Sequence, residues 1–260
     1  MRHDDPGAPS RPGPGAENAH GPLAALVREI EAVDWATVPG RAGWYEPERA
    51  VAGLRDLAAA TGGLAAAKAF SLLEGGGILH GHSGAVLPAA AVAAPFLLGI
   101  AEHGGPAARR AAVGLLEESL AYDPFDGYTR IDTPQACGVP LCCAVAGHVR
   151  ARIGAPAALG RDARDLLAMA GEHWRFTVRE LAADGTDMIA SGVLDGAFPT
   201  GRHPVELHDG RRIVPLDGAV LEYPPDDATG EAFLRLAGIP ADRVRTGAAL
   251  FPGACGRRVH

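Results

Sequence analysis

The residues with chemistry to offer fall into four groups. His80 and His82 flank Gly81, and His103 follows one helical segment later. Two imidazoles at alternate positions can share a metal ion where the backbone is extended. No Cys, His or Asp partner stands at a recognised ligand spacing, so these histidines are expected to cap helix ends and fill a turn. The second group is the stretch from Tyr122 to Asp132, which concentrates aromatics, Asp123, Asp126, Asp132 and Arg130. It is long for a helix connection, and long loops in compact domains are often functional. A general acid/base pair, a cation-binding cup or a ligand-contacting lip would suit it, against the plainer alternative of a solvated insertion. The third group is the cysteines, Cys137, the adjacent Cys142 and Cys143, and Cys255. No C-x-x-C is present, and neighbours on a helix diverge by about 100°. Cys142 and Cys143 are therefore expected to pack as small apolar thiols. Cys137 opens a predicted helix, whose dipole would lower its pKa, and is a candidate nucleophile. The fourth is His173-Trp174-Arg175, with Trp174 on an apolar stripe; His148, beside Arg150 and Arg152, reads as part of a solvated face. The candidate site residues are thus His80, His82, Asp123, Asp126, Arg130 and Cys137. None is assigned a catalytic role, and no metal or cofactor is expected.

These groups must be held by helices over most of the chain. Residues 1–20 alternate Pro, Gly and polar residues without apolar period and are expected to be a disordered tail. Apolar stripes at three- and four-residue steps then predict helices over 22–35, 47–60, 64–74, 88–102, 106–120, 140–153 and 162–183. Several open on Pro at the first turn, and Gly75-Gly76-Gly77 closes the third. Pro95 should kink the fourth. Beyond residue 183 the period changes. Strands flank Asp209-Gly210, a strong hairpin signal; Val220 to Tyr223 predicts a third strand and Glu231 to Leu236 a short helix. The segment from Gly247 is expected to be irregular. The domain division is a tail over 1–20, a helical domain over 21–183, and a hairpin and short-helix region over 184–260 packed on it.

Shifting the chain by 41 residues superposes Pro47, Ala50, Val51, Ala52 and Leu57 on Pro88, Ala91, Val92, Ala93 and Leu98. Leu72-Leu73-Glu74 recurs 43 residues on as Leu115-Leu116-Glu117. With His80-Gly-His-Ser-Gly-Ala-Val-Leu-Pro and the Ala108–Leu116 stretch, residues 45–182 resemble the HEAT/armadillo-like helical repeats, particularly the degenerate ones of GC-rich bacteria. The resemblance implies a mainly α fold, a solenoid of stacked antiparallel helix pairs carrying a small C-terminal β-hairpin region. It also implies a surface that binds other macromolecules.

The formal charge is −7, and Lys68 is the sole lysine among mostly arginine cations. No long basic run appears, which argues against nucleic acid as a partner. The opening residues lack the apolar core of a signal peptide, and the uncharged stretch from Ala85 to Ala101 falls short of a membrane span, so a cytoplasmic protein is expected. P-loop, G-x-S-x-G, H-E-x-x-H and dinucleotide-binding glycine patterns are absent. The first functional expectation is a non-catalytic interaction scaffold, of adaptor, accessory or immunity type, whose partner is another protein. The second is an enzyme or a small-molecule or metal-binding protein, with a pocket where the helices meet the hairpin region, near the 80–82 and 122–132 loops.

Overall fold

A computed structural model describes residues 21–152, 160–223, 225–226, 229–239 and 244–260. The expected tail over residues 1–20 lies outside the described residues. Among the described residues seven α-helices come first: α1 (Pro22–Ala32), α2 (Pro47–Ala58), α3 (Gly63–Glu74), α4 (Ala89–His103), α5 (Pro106–Ala121), α6 (Leu141–Arg152) and α7 (Gly160–Glu172). Pro22, Pro47 and Pro106 each occupy a first turn, where the missing N–H leaves nothing unpaired.

These helices do not stack as a solenoid. In a repeat array each unit touches only its neighbours. Here α4 packs against α1, α2, α5 and α6, and α5 also meets α2, α3 and α7. The sequence of α4 explains its place. Eleven of its fifteen residues are buried, from Ala89 round to Ala101, so it has apolar groups on every side and sits in the middle of a cluster. Pro95 lies inside it, and the helix continues to His103. The resemblance to HEAT/armadillo repeats is therefore corrected: the recurring Ala, Val and Leu residues mark helix faces around one core, not successive units. Among the described residues no helix is long and apolar enough to cross a membrane.

The mainly α expectation also fails, because the second half of the chain is a closed six-stranded barrel. Its strands are β6 (Arg175–Asp184), β7 (Asp187–Asp195), β8 (Arg202–Asp209), β9 (Arg212–Tyr223), β10 (Glu231–Leu236) and β11 (Ala249–Pro252). They run antiparallel in the order β10-β7-β6-β11-β8-β9, and β9 closes back onto β10. Small pairings precede it: β1 (Leu79–His80), β2 (Ala85–Val86) and β3 (Asp123–Pro124) form one sheet, β4 (Arg130–Ile131) and β5 (Val139–Pro140) another.

Three predicted elements change type. The helix expected over 162–183 ends at Glu172, and β6 takes the rest. Trp174 and Val178 are four apart, which suits a helix face, but Phe176 between them is buried as well, and that alternation belongs to a strand. The helix expected over 231–236 is β10. Its composition favours a helix, yet Ala232, Leu234 and Leu236 enter the barrel core while Glu231 and Phe233 face out. The segment after Gly247 contains β11, which is buried throughout. The Asp209-Gly210 hairpin is present, with Asp209 opposite Arg212 and Gly210 at φ +61°. The third strand expected at Val220 is the continuation of β9.

Strand β11 joins the two halves. Leu250 points into the barrel core, and Ala249 and Phe251 point into the helical core. One short strand is thus shared by both hydrophobic interiors.

Candidate metal centre

Four side chains from three separate parts of the chain meet beside this strand. Cys142 and Cys143 are the second and third residues of α6. His173 follows the end of α7, and Cys255 opens a 3₁₀ turn, Cys255–Arg257, directly after β11. One ligand atom from each residue lies within 4.8 Å of all the others, and all four residues are enclosed. His173 Nδ1 is 3.2 Å from Cys255 Sγ.

Each ligand is positioned by its neighbours. Cα–Cβ bonds in a helix tilt toward its N-terminus, so adjacent side chains in a first turn can both lean past the helix end. This is how Cys142 and Cys143 converge despite their angular separation. His173 is fixed through its backbone: Arg150 Nη1 donates to its carbonyl at 2.8 Å and to that of Ala170 at 2.7 Å. Cys255 is fixed by the residues that follow it. Arg258 donates from Nε to Asp123 at 2.8 Å, and from its terminal nitrogens to the carbonyls of Leu120, Ala121 and Tyr122. Those carbonyls close α5, the negative end of its dipole, where a guanidinium is well placed.

A second tie runs through Arg130. Its guanidinium grips Glu206 on β8 with two bonds, 2.9 and 2.8 Å, and donates to the carbonyls of Gly138 and Gly256. His208 adds Nε2 to the same carboxylate at 3.4 Å, and its Nδ1 meets the carbonyl of Cys137 at 3.0 Å. A Cβ on Gly256 would collide with the Glu206 carboxylate, so the turn after Cys255 requires glycine there. Burial pushes the Glu206 carboxyl up, but the bonds from His208 and Arg130 and the Arg130 charge outweigh it and hold the group at about 2. Because this value is depressed, its stabilisation is present above the ordinary carboxylate range and is lost as pH falls toward about 2.

The thiols polarise one another. S–H bonds, first from Cys143 and then from Cys255, with His173 nearby, hold Cys142 well below the ordinary thiol range despite its burial. Burial pushes Cys143 well up, and the bond to Cys142 raises Cys255. The first turn of α6 adds the positive end of a helix dipole, which favours thiolate.

The donor set fits a soft divalent cation. Three sulfurs and one imidazole are a zinc-type S₃N set. Tetrahedral coordination at zinc's usual bond lengths separates neighbouring ligand atoms by about 3.5–3.8 Å. The observed cluster is compatible with that spacing. Three thiolates on a dication leave one negative charge, and Arg258, which interacts electrostatically with Cys142 and Cys255, opposes it. No family model, curated protein or solved structure matches the chain.

The residues singled out from sequence lie elsewhere. His80 stacks on Trp44, ring centroids 4.2 Å apart, and its Nδ1 meets Ser83 Oγ at 3.0 Å. His82, Asp123 and Asp126 are exposed. Strand β2 pairs with β3, so the 80–82 and 122–132 loops are neighbours, but they gather no further metal-binding group among the described residues. Arg130 is the structural clamp on Glu206, and Cys137 contributes its carbonyl to His208. The four residues that do converge were individually visible in the sequence. The signal that links them is three-dimensional, because 113 positions separate Cys142 from Cys255.

Proposed function

We propose that this protein binds one thiophilic divalent cation, zinc by the chemistry of its ligands, on Cys142, Cys143, His173 and Cys255. The observation that carries this reading is the mutual approach of four enclosed ligand atoms to within 4.8 Å. The ion's role is structural, since four protein ligands close the coordination sphere and leave no position for substrate. It fastens α6, the α7–β6 junction and the turn after β11 to one point, and so holds the barrel against the helices. The interaction-scaffold expectation was premised on a continuous helical stack, and that premise does not hold.

Elemental analysis of the purified protein should return one equivalent of zinc per chain, with X-ray absorption showing three sulfurs and one nitrogen. Cys255→Ser and His173→Ala should each lose most of the metal and lower the melting temperature, whereas Cys137→Ser, outside the cluster, should retain the full equivalent. Chelation should destabilise the native protein, because a cation bound only by the folded state stabilises it by mass action. Metal-free protein that melts identically with and without added zinc, or a disulfide within the cluster of the purified chain, would sink the proposal.

A further inference from the structure

Of the four clustered residues, only Cys143 lines the cavity of about 290 Å³ where α4, α6, the 131–135 loop and the barrel meet. It belongs to a stripe of α6, since Gly147 and Ala151, each four residues further on, line the same space. The lining runs from exposed residues, Gln135, His148 and Ala151 among them, inward to the buried Val139, Phe251 and Cys143. The metal centre, otherwise enclosed, therefore has one wall on a space that reaches solvent. Two guanidiniums, Arg150 and Arg175, balance two carboxylates, Asp132 and Asp195, on that lining, so the cavity favours neither sign of ion. Cys143 is 3% exposed, enough to meet a molecule about the size of water and too little for a bulky one. A small uncharged reactant fits both conditions.

We propose that hydrogen peroxide entering by this cavity oxidises metal-bound Cys143, which then pairs with Cys255 and releases the cation. The inference rests on the metal reading of the cluster. Coordination strips the proton from a thiol, and thiolate is the form that attacks peroxide. The Cys143 sulfur takes one peroxide oxygen, giving a sulfenic acid and a hydroxide ion. The Cys255 thiolate then displaces a second hydroxide from that sulfenic acid and closes the disulfide. Two thiolates thus lose two electrons to one peroxide, which ends as two hydroxides. Cys142 does not suit as the partner: adjacent Cα atoms lie about 3.8 Å apart, shorter than a disulfide's usual span of about 4.4–6.8 Å. Cys255 comes from a separate turn, with its sulfur within 4.8 Å. Only Cys142 and His173 then remain as donors, too few to retain the cation.

The test mixes reduced, zinc-loaded protein with excess hydrogen peroxide and reads freed zinc with a chromogenic chelator. One equivalent of zinc should be released, and peptide mapping should find Cys143 joined to Cys255 while Cys142 stays open to alkylation. Gly147→Leu and Ala151→Leu obstruct the cavity at two depths. A Cβ on Gly147 meets nothing within 4 Å and Ala151 is exposed, so there is room for either side chain. Each variant should load zinc fully and slow its peroxide-driven release roughly tenfold or more, with release to the chelator alone unchanged. Protein that holds no zinc at all defeats the metal reading and this inference with it. Loaded protein that keeps its zinc in peroxide, a disulfide that omits Cys143, or undiminished release from a loaded cavity variant overturns this inference and leaves the metal reading standing.

Discussion

At the scale of single residues, Glu118 on α5 is out of balance with its surroundings. Its Oε2 is buried without a hydrogen-bond partner among the described residues, and burial, then Glu74 and Glu117, push its carboxyl up to about 7. The sign follows from linkage. The folded value lies above the unfolded one of 4.5, so the folded state holds the proton more tightly. The contribution of this group to stability is therefore greatest at low pH and falls as pH climbs from the unfolded value through about 7. Glu118→Gln mimics the protonated form and should raise the melting temperature near pH 8 by about 2–4 °C, or roughly 1 kcal/mol once solvent screening of the group is discounted. The gain should vanish near pH 4. Thermal melts across this range check it, and a variant less stable than the parent near pH 8 would show that the carboxylate has a partner after all. This penalty was not legible in the sequence, where Glu118 is one of several acids on a helix. The same holds for the cysteines. Adjacent thiols read as small apolar packing residues, and they are indeed buried, but only the fold brings Cys255 and His173 to them.

At the scale of elements, the helices before residue 153 were legible because most carry an apolar stripe at helical spacing, α4 is apolar all round, and each opens or closes on Pro or Gly. The barrel was legible only around its Asp209-Gly210 hairpin, in the two strands that flank the turn and in the end of β9 at Val220 to Tyr223. Strands such as β10 carry helix-favouring residues whose inward alternation becomes decisive once neighbouring strands supply a core. Strand β11 is buried on both faces, so it shows no alternation at all. The cavity illustrates partial legibility: it lies between helices and barrel and is lined by residues 131–135, while His80 and His82 are not on its lining. Because Phe251 serves the helical core from a barrel strand, Phe251→Ala should cost about 3–5 kcal/mol. The loss should appear in both helical and barrel signals. Chemical denaturation followed by circular dichroism and by barrel amide resonances checks this, and an effect confined to one half would contradict the shared role of β11.

At the scale of the whole molecule, Arg130–Glu206, Arg150–Asp195, Arg258 and the proposed metal centre all cross from the N-terminal half, helices and strand β4, to the barrel half. The two halves should therefore open as one unit. Native-state hydrogen exchange of the metal-loaded protein should return the same opening free energy for α4 and for β7. A barrel that exchanges through a markedly lower free energy would show the ties to be weak. The strand order carries one more implication, for how the protein is made. Strand β11 lies between β6 and β8 in the wall, although it is the last of the six in the sequence. Until residues 249–252 dock, β6 and β8 each present bare amide and carbonyl groups along one margin, the kind of surface onto which stray chains add. The nascent barrel thus passes through a stage with an open slot, and shelter of that slot, by haste or by a chaperone, decides between a finished molecule and an aggregate.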